Sequence, residues 1–345
     1  MGWIEDYQKK ISYLKTKDFL ASFGSTECFL ITDKNLERYY GEDLFSNLSY
    51  FSIEPGEQAK TLYQVNVILE RLLVLNFSRQ VIIIGFGGGI VCDIAGFVSA
   101  IYKRGCRLAL LPTSLIGMVD ASIGGKNGVN SLNFKNQFGT FKQADYINID
   151  FDLLETLPLC EIANGRAEII KHGLIYSPVY YQKVRDYILA FDNNVNSQLR
   201  KIIMESIKIK LSFVAGDEND RGQRRFLNFG HTLGHVMEKN QHIPHGKAVI
   251  WGMIQALKLS YHLNLITEQL CKELLIDLFR ENTVDQERVN WPDISEALLS
   301  DKKRVGEKIT FILLSGLGKP LIKDIDLDVI KQVVMSDDEN ILRNG

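Results

Sequence analysis

The first half of this chain is organised around the residues Val81-Ile82-Ile83-Ile84-Gly85-Phe86-Gly87-Gly88-Gly89. A short β-branched run of this kind is typical of a strand that is covered on both faces of a parallel sheet. The next residues, 90–102, have helical periodicity, so a strand passes through glycines into a helix. This order aims backbone N–H groups at a phosphate. The sequence therefore predicts a βα unit with a candidate anion site at its glycines.

The segments around this unit continue the same alternation. Residues Cys28–Asp33 are predicted to form a buried strand that ends in a loop acid, and residues 58–75 have apolar side chains at helical spacing. Residues 108–111 form another apolar run, which Pro112 closes. Strands and helices that alternate at this spacing indicate a parallel sheet.

After about residue 150 the strand pattern largely stops, and helical periodicity dominates. We therefore predict an α/β fold, with a βα domain that contains a parallel sheet at residues 1–152 and a mainly α-helical domain at residues 153–345. No linker rich in Pro, Gly or Ser marks the boundary. The predicted helices lie at residues 159–175, 195–215, 230–239, 247–263 and 268–279.

Composition excludes several classes of protein. Hydrophobic residues make up 46% of the chain and charged residues 24%, as in a water-soluble globular protein. The net charge of −2 predicts no binding to nucleic acid or to an anionic membrane. The longest uncharged run, residues 80–92, is far shorter than the ~20 residues that span a bilayer. With no secretory signal and five cysteines without a CxxC pair, we expect a cytoplasmic protein with reduced thiols.

The glycine loops do not match the common nucleotide-binding motifs. A G-x-G-x-x-G fingerprint in the first loop would need its third glycine where the chain has Ile90. The second loop, Gly124-Gly125-Lys126, resembles the end of a P-loop, but that motif needs a glycine at Asp120 and a serine or threonine at Asn127. A Walker-type NTPase is disfavoured. An unconventional nucleotide site fits the βαβ context better, and two tight turns stay open as the alternative.

Two helical segments carry candidate metal ligands. His231 and His235 are four residues apart on a predicted helix and so share one face, which is either a polar surface or part of a metal site. A metalloprotease motif would need a glutamate where the chain has Thr232. Glu168 and Lys171 are three apart on another helix, where they form either a surface ion pair or a site. Two histidines and one glutamate form a known catalytic zinc set.

Four longer motifs join these segments. They read GGGIVCDIAGF at 87–97, VDASIGGKNGVN at 119–130, AEIIK at 167–171 and LNFGHTLGH at 227–235. Together and in this order they resemble the dehydroquinate synthase family of sugar-phosphate cyclases, and the likeness covers about residues 55–313. The resemblance implies a Rossmann-like N-terminal domain that binds NAD and a helical C-terminal domain that binds a divalent metal ion, Zn²⁺ or Co²⁺.

The resemblance also implies roles for individual residues. The metal ligands would be Glu168, His231 and His245. The residues that hold NAD, or lie in the same groove, would be Asp33, Glu57, Lys60, Gly88, Gly89, Asp93, Thr113, Ser114, Asp120, Lys126, Lys135 and Thr156.

The expected substrate is 3-deoxy-D-arabino-heptulosonate 7-phosphate. His235 would shuttle protons, and Arg104 would reach the phosphate across the interface of a homodimer. The residues that meet the anionic groups of the substrate would be Lys126, Asn136, Lys171, Lys210, Arg224, Asn228 and Lys303.

The reaction that the family resemblance implies explains why such a mixture of groups is needed. A ring hydroxyl is oxidised by transient hydride transfer to NAD, phosphate leaves by β-elimination, and the hydride returns. The ring then opens and an intramolecular aldol reaction gives 3-dehydroquinate, as in the shikimate pathway of aromatic amino acid biosynthesis. The net reaction is that of a carbon–oxygen lyase acting on a phosphate.

Three other functions are considered. A sister cyclase would act on sedoheptulose 7-phosphate or glucose 6-phosphate, although Lys210, Arg224 and Asn228 keep the dehydroquinate synthase pattern. A metal-dependent alcohol dehydrogenase of related architecture would accumulate NADH. A catalytically inactive relative would lack ligands. The main departures from the family pattern are the sequence His245-Gly246-Lys247 in place of His-Gly-Glu, and a short segment between His235 and His245 that includes His242.

Overall fold

The computed structural model describes residues 2–132, 134–189, 196–241, 243–281, 290–299, 304–305 and 308–336. Two of the residues singled out from the sequence, Lys303 and His242, lie outside these ranges. The chain forms two compact units, of which the first comprises Met1–Gly165 and Asn193–Asn219 and the second comprises Arg166–Asp192 and Asp220–Gly345. The predicted boundary between domains at residues 152 and 153 stays a prediction.

The first unit is built on a parallel sheet. Its strands, in chain order, are Ile11–Ser12 (β1), Cys28–Asp33 (β2), Ser49–Ile53 (β3), Ile82–Gly87 (β4), Arg107–Pro112 (β5), Lys126–Ser131 (β6), Phe134–Phe141 (β7) and Tyr146–Asn148 (β8). Within the described residues, six of these strands form one sheet in the order β1-β8-β5-β4-β2-β3, and every pair in it is parallel. Strands β6 and β7 form a separate antiparallel hairpin.

The topology of this sheet reverses beside β2. Strand β3 pairs with one side of β2, and the chain then returns to place β4 on the other side. The central strands β2 and β4 are buried along almost their whole length, as the apolar runs predict. In open α/β sheets, ligands bind beside the carboxyl ends of strands at such a reversal. These ends carry Asp33 and the glycine run that follows Phe86.

The described helices agree with most of the predicted ones. They are Gly2–Gln8 (α1), Thr16–Ala21 (α2), Lys34–Tyr40 (α3), Leu62–Val74 (α4), Gly89–Ile101 (α5), Leu159–Tyr176 (α6), Pro178–Leu189 (α7), Ser197–Val214 (α8), His231–Gln241 (α9), His245–His262 (α10), Glu268–Glu281 (α11), Trp291–Leu299 (α12) and Leu327–Val334 (α13).

The start of the predicted helix at residues 58–75 was wrong. Residues Glu57–Ala59 form a short 3-10 turn, and α4 begins only at Leu62. The reason is local, because the Thr61 side chain accepts a hydrogen bond from the backbone N–H of Gln64 at 3.2 Å and so caps the helix. Glu57 and Lys60 therefore precede α4 and are not part of it.

The second unit is mainly helical, with α10 at its centre. The residues of α10 from Ala248 to Ser260 are buried. It also contains an antiparallel sheet that the helical periodicity did not predict, formed by Arg304–Val305 (β9), Lys308–Leu314 (β10) and Pro320–Asp326 (β11). Strand β10 is buried from Ile309 to Leu314 and packs against α10. A short apolar run of this kind cannot be distinguished from a buried helical turn by its periodicity alone.

Within the described residues, none of the helices combines the length and the apolar character that crossing a bilayer requires.

Helix α5 lies against the hairpin of the first unit at a glycine. A Cβ atom added at Gly96 would lie 1.8 Å from Oδ1 of Asn127 on β6. The Asn127 side chain is fixed there, since its Nδ2 donates to the backbone oxygens of Gly125 at 2.9 Å and Lys142 at 3.0 Å. The close approach of helix and hairpin therefore depends on a residue without a side chain.

We expect Gly96→Ala to lower the free energy of unfolding by about 1–3 kcal/mol, because the added methyl group displaces Asn127. In an unobstructed helix the same substitution would raise the free energy of unfolding by about 1 kcal/mol. The sign of the measured change therefore shows whether the added methyl group clashes. Urea unfolding of Gly96→Ala, Asn127→Ala and the double variant measures the coupling. Additive effects of the two substitutions would contradict the proposed clash.

Candidate active site

The glycine run connects β4 to α5 at the point where the sheet reverses. Gly88 occupies the N-cap position of α5 in an extended conformation and offers no capping side chain. The turn is closely packed, because a Cβ atom at Gly87 would lie 2.5 Å from Val91 and one at Gly88 would lie 3.3 Å from Oγ of Ser114. The first N–H groups of α5 thus lie in a closely packed turn, as a phosphate-binding loop requires.

The second glycine loop is a tight turn, one of the two alternatives that the sequence left open. Gly124 and Gly125 have φ values of 94° and 67°, and the chain continues from Lys126 into strand β6. A P-loop would continue into a helix, so the structure agrees with the exclusion of a Walker-type site. The side chain of Lys126 is exposed at the start of the strand.

Two more of the predicted nucleotide residues lie beside the first glycine run or at the end of the neighbouring strand. Asp33 ends β2, where its Oδ1 accepts from the N–H groups of Asn35 at 2.9 Å and Leu36 at 3.1 Å. Burial raises the pKa of Asp33, although these two hydrogen bonds oppose the rise. Buried Thr113 follows β5 and donates its N–H to the backbone oxygen of Gly87 at 2.9 Å.

A hydrogen-bonded network joins the 3-10 turn, α5 and the β6–β7 hairpin. Lys60 forms an ion pair with Asp93 and donates to Oδ1 of Asn136 at 2.6 Å. Asn130 donates to Glu57 at 2.7 Å and accepts from the Asn136 N–H at 2.9 Å. Burial raises the pKa of Asp93, while the Lys60 ammonium opposes the rise. The structure thus brings together four predicted residues and adds Asn130, which the sequence analysis did not assign to a role.

Some of the remaining predicted residues of the first unit form polar contacts, and the others are exposed. Nζ of buried Lys210 is 2.5 Å from both Oδ1 and the backbone oxygen of Asp120. The hydroxyl of Thr156 is 2.9 Å from that of Tyr40. The other two side chains, Lys135 and Arg104, are exposed, and Arg104 has a φ of 66°.

Three predicted metal ligands meet in the second unit. Glu168 on α6, His231 at the start of α9 and His245 at the start of α10 place their ligand atoms within 4.8 Å of one another. Oε1 of Glu168 is 3.4 Å from Nε2 of each histidine. The Glu168 side chain is fully buried, and Lys171, one turn later on α6, forms an ion pair with its other oxygen. A carboxylate and two imidazoles arranged in this way could hold a divalent metal ion.

The charges of this cluster depend on one another. Burial alone would raise the pKa of Glu168, but the charges of Lys171 and His231 hold it well below its ordinary value. Burial and then Lys171 lower the pKa of His231. Burial would also lower the pKa of His245, but hydrogen bonds to Glu168 and Glu238 raise it to about 9. The metal-free cluster at neutral pH is therefore an ionised carboxylate with two cationic partners, Lys171 and His245, whereas the lowered pKa of His231 favours its neutral form.

Each of the two clustered histidines has a second partner at its other ring nitrogen. Nδ1 of His231 is 3.1 Å from the backbone oxygen of Phe229, and Nδ1 of His245 is 3.4 Å from Oε2 of Glu238. Sequence analysis missed Glu238. Its position on α9, seven residues after His231 and three after His235, places it on the same helical face and could have been noticed.

The other predicted residues of this unit surround the start of α9. The ring of His235 is exposed, and its centroid is 5.1 Å from that of His231. Arg224 is buried and Asn228 half-buried in the 3-10 turn Gln223–Asn228, which precedes α9. The structure thus brings His235 close to the cluster. The role of each residue stays a prediction.

Comparison with known proteins identifies this architecture. Family models described as 3-dehydroquinate synthase N-terminal and C-terminal match residues 50–164 and 165–304. The 3-dehydroquinate synthase of Alkaliphilus metalliredigens is 37% identical over 308 residues, which cover 86% of this chain and 85% of the relative.

Solved structures show the same fold. A 2-epi-5-epi-valiolone synthase from Streptomyces hygroscopicus subsp. jinggangensis, with NAD⁺ and Zn²⁺ bound, has a TM-score of 0.85 at 22% identity and covers 97% of this chain and 96% of its own. A 2-deoxy-scyllo-inosose synthase complexed with carbaglucose-6-phosphate, NAD⁺ and Co²⁺ has a TM-score of 0.80 at 23% identity, with coverages of 94% and 95%.

A unit built on a parallel sheet and a mainly helical unit make up the fold class that this chain shares with these two synthases. Within this class, the chain belongs to the 3-dehydroquinate synthase family.

We expect Lys171→Met to lower the free energy of unfolding by about 3–5 kcal/mol in the presence of a chelator, because it leaves the buried Glu168 carboxylate without its cation. Added Zn²⁺ or Co²⁺ should restore part of the loss, since a bound divalent cation can neutralise the same carboxylate. Denaturant unfolding with and without metal measures both effects.

The matched control is Lys319→Met, which removes an exposed lysine of the same unit and should change stability by less than about 0.5 kcal/mol. Equal stability of Lys171→Met and the unsubstituted protein in chelator would contradict the assignment of Lys171 as the cation that compensates Glu168.

Proposed function

We propose that this chain is an NAD- and metal-dependent 3-dehydroquinate synthase that converts 3-deoxy-D-arabino-heptulosonate 7-phosphate to 3-dehydroquinate and phosphate. The observation that carries the proposal is the cluster of buried Glu168 and His231 with half-buried His245. The cluster lies in a chain that belongs to the 3-dehydroquinate synthase family over most of its length. The enzyme is thus a lyase that acts on a sugar phosphate.

The donor set supports a divalent metal ion, Zn²⁺ or Co²⁺. Two imidazoles and one carboxylate leave a coordination position open for substrate oxygen. Glu168 needs positive charge because it is fully buried and ionised. The solved cyclases with Zn²⁺ or Co²⁺ agree with this choice of metals.

The reversal point of the parallel sheet supports the binding of NAD. The N–H groups of Gly88 and Gly89 at the start of α5 would contact the pyrophosphate, and Asp33 at the end of β2 would contact a ribose. The other residues proposed for this groove are Glu57, Lys60, Asp93, Thr113, Ser114, Asp120, Lys126, Lys135 and Thr156. When bound, NAD supplies a reversible hydride acceptor and the metal a Lewis acid, and the net reaction consumes neither.

The cationic residues bind the anionic ends of the substrate. Lysine and arginine side chains form charge-assisted hydrogen bonds to phosphate and carboxylate, which fix the sugar ring for elimination. His235, exposed beside His231, moves protons during elimination and ring closure. The other proposed substrate residues are Lys126, Asn136, Lys171, Lys210, Arg224, Asn228 and Lys303.

The proposal includes a cytoplasmic homodimer. All five cysteines are free thiols, which suits a reducing compartment. In the dimer, Arg104 would reach the substrate phosphate of the partner protomer, and its exposed side chain is available for that contact. Analytical ultracentrifugation measures the oligomeric state.

We expect the purified protein with NAD and Zn²⁺ or Co²⁺ to release phosphate from 3-deoxy-D-arabino-heptulosonate 7-phosphate without net formation of NADH. A chelator should abolish the release. A phosphate assay and absorbance at the NADH wavelength measure the two products together.

Sedoheptulose 7-phosphate and glucose 6-phosphate are matched control substrates, since both lack the carboxylate. Phosphate release from either of them and not from the heptulosonate would show a sister cyclase instead. Accumulation of NADH with a simple polyol would show a dehydrogenase.

We expect Glu168→Ala and His231→Ala to lose their bound metal and their phosphate release, because each removes a ligand from the buried cluster. Elemental analysis after dialysis measures the metal. His262→Ala, which removes an exposed histidine at the end of α10, should keep both properties. Unchanged metal content in both ligand variants would refute the ligand set.

A further inference from the structure

Glu238 lies next to the metal cluster but is not one of its ligands. It shares one face of α9 with His231 and His235, and its side chain is 12% exposed. Oε2 of Glu238 lies 3.4 Å from Nδ1 of His245, while Nε2 of the same ring lies 3.4 Å from Glu168. The imidazole of His245 is therefore held between two carboxylates, one on each ring nitrogen.

The direction of the hydrogen bond at Nδ1 follows from the chemistry of its partner. An ionised carboxylate can only accept, so the Nδ1 facing Glu238 must carry a hydrogen. When a neutral imidazole binds a metal, only one nitrogen keeps its hydrogen, and the lone pair of the other faces the ion. A hydrogen kept at Nδ1 leaves Nε2, the nitrogen that faces Glu168, free to coordinate.

His231 shows the same arrangement with a different acceptor. Its Nδ1 faces the backbone oxygen of Phe229, which also can only accept, and its Nε2 faces Glu168. Both histidines therefore present Nε2 to the same carboxylate oxygen and have an acceptor behind Nδ1. The repetition of this geometry at two independent positions indicates that it serves the cluster.

The two histidines differ in how firmly the backbone places them. His231 has its acceptor two residues earlier in the chain and a side chain that is 11% exposed. His245 is the first residue of α10 after Pro244, its side chain is 25% exposed, and its acceptor lies on another helix. The orientation of His245 thus depends on a side chain, whereas that of His231 depends on a local peptide group.

We propose that Glu238 is a positioning residue that holds His245 in the Nδ1–H tautomer and directs its Nε2 to the metal ion. The inference rests on the metal centre of the proposed function. Carboxylates that accept from the second nitrogen of a ligand histidine fix its ring and strengthen it as a ligand. Glu238 acts on substrate only through His245 and the metal, so it is not itself a catalytic residue.

The test is Co²⁺ binding to the full chain, followed by visible absorption and by competition with a chelator. We expect Glu238→Ala to raise the Co²⁺ dissociation constant by about 10–100-fold. Glu238→Gln should cause a smaller rise, because its amide oxygen can still accept from Nδ1. Both variants should shift the Co²⁺ absorption bands, since the geometry of one ligand changes.

The matched control is Asp277→Asn. Asp277 has the same 12% side-chain exposure in the same unit, but it pairs with Arg185 at 2.8 Å and accepts from Tyr181 at 3.1 Å. This variant should bind Co²⁺ like the unsubstituted protein. Glu238→Ala also loses its contact with His245 in the metal-free protein, so some loss of stability is expected. Thermal unfolding of all metal-free proteins therefore sets the temperature for the Co²⁺ titrations, which are made well below every midpoint, where each variant is folded.

Three results would overturn the inference while leaving the metal centre intact. They are unchanged Co²⁺ affinity of Glu238→Ala, a loss in Glu238→Gln as large as in Glu238→Ala, and a loss of affinity that is found only at temperatures where the metal-free variant is partly unfolded. If the unsubstituted protein does not bind Co²⁺, the proposed metal centre fails and the inference falls with it.

Discussion

The arrangement of the second unit depends on one fully buried carboxylate, that of Glu168. A buried ionised carboxylate is tolerated only where cations and hydrogen bonds replace water. Lys171 supplies a charge from the next turn of α6, and His231 and His245 supply ring nitrogens from the first residues of α9 and α10. Residues from three helices thus contact one negative charge. A divalent cation would also supply the positive charge that the buried carboxylate requires.

The first unit depends on close approach of backbone rather than on charge. Gly87 lets the strand turn directly into α5 against Val91, and Gly96 lets α5 approach Asn127 on the hairpin. These contacts set where the first turn of α5 lies relative to the Lys60–Asp93 pair. The groove proposed for NAD therefore combines a backbone loop at a helix N-terminus, the kind of site that favours anions, with a network of side chains that fixes the hairpin.

Much of both units was predictable because the patterns were strong. The β-branched run at residues 81–84 and the periodic segments after residue 150 match observed strands and helices. Other features were missed, and three of them show the physical reason. Thr61 caps α4 through a side-chain hydrogen bond that periodicity does not register. Strand β10 is buried over six residues, which removes the alternation that would mark a strand. Glu238 is a single polar residue whose importance depends on where His245 folds.

The family, the alternation of strands and helices, and the candidate ligands could all be inferred from the amino-acid sequence, because each depends on local motifs or on spacing along the chain. The folded structure was needed to show that Glu168, His231 and His245 meet, because Glu168 and His231 are 63 positions apart in the chain and no local pattern reports a contact over that separation. The same holds for Lys60, Asn136 and Asp93. Contacts between distant segments arise when burial brings helices and strands together, and the proposed chemistry depends on those contacts.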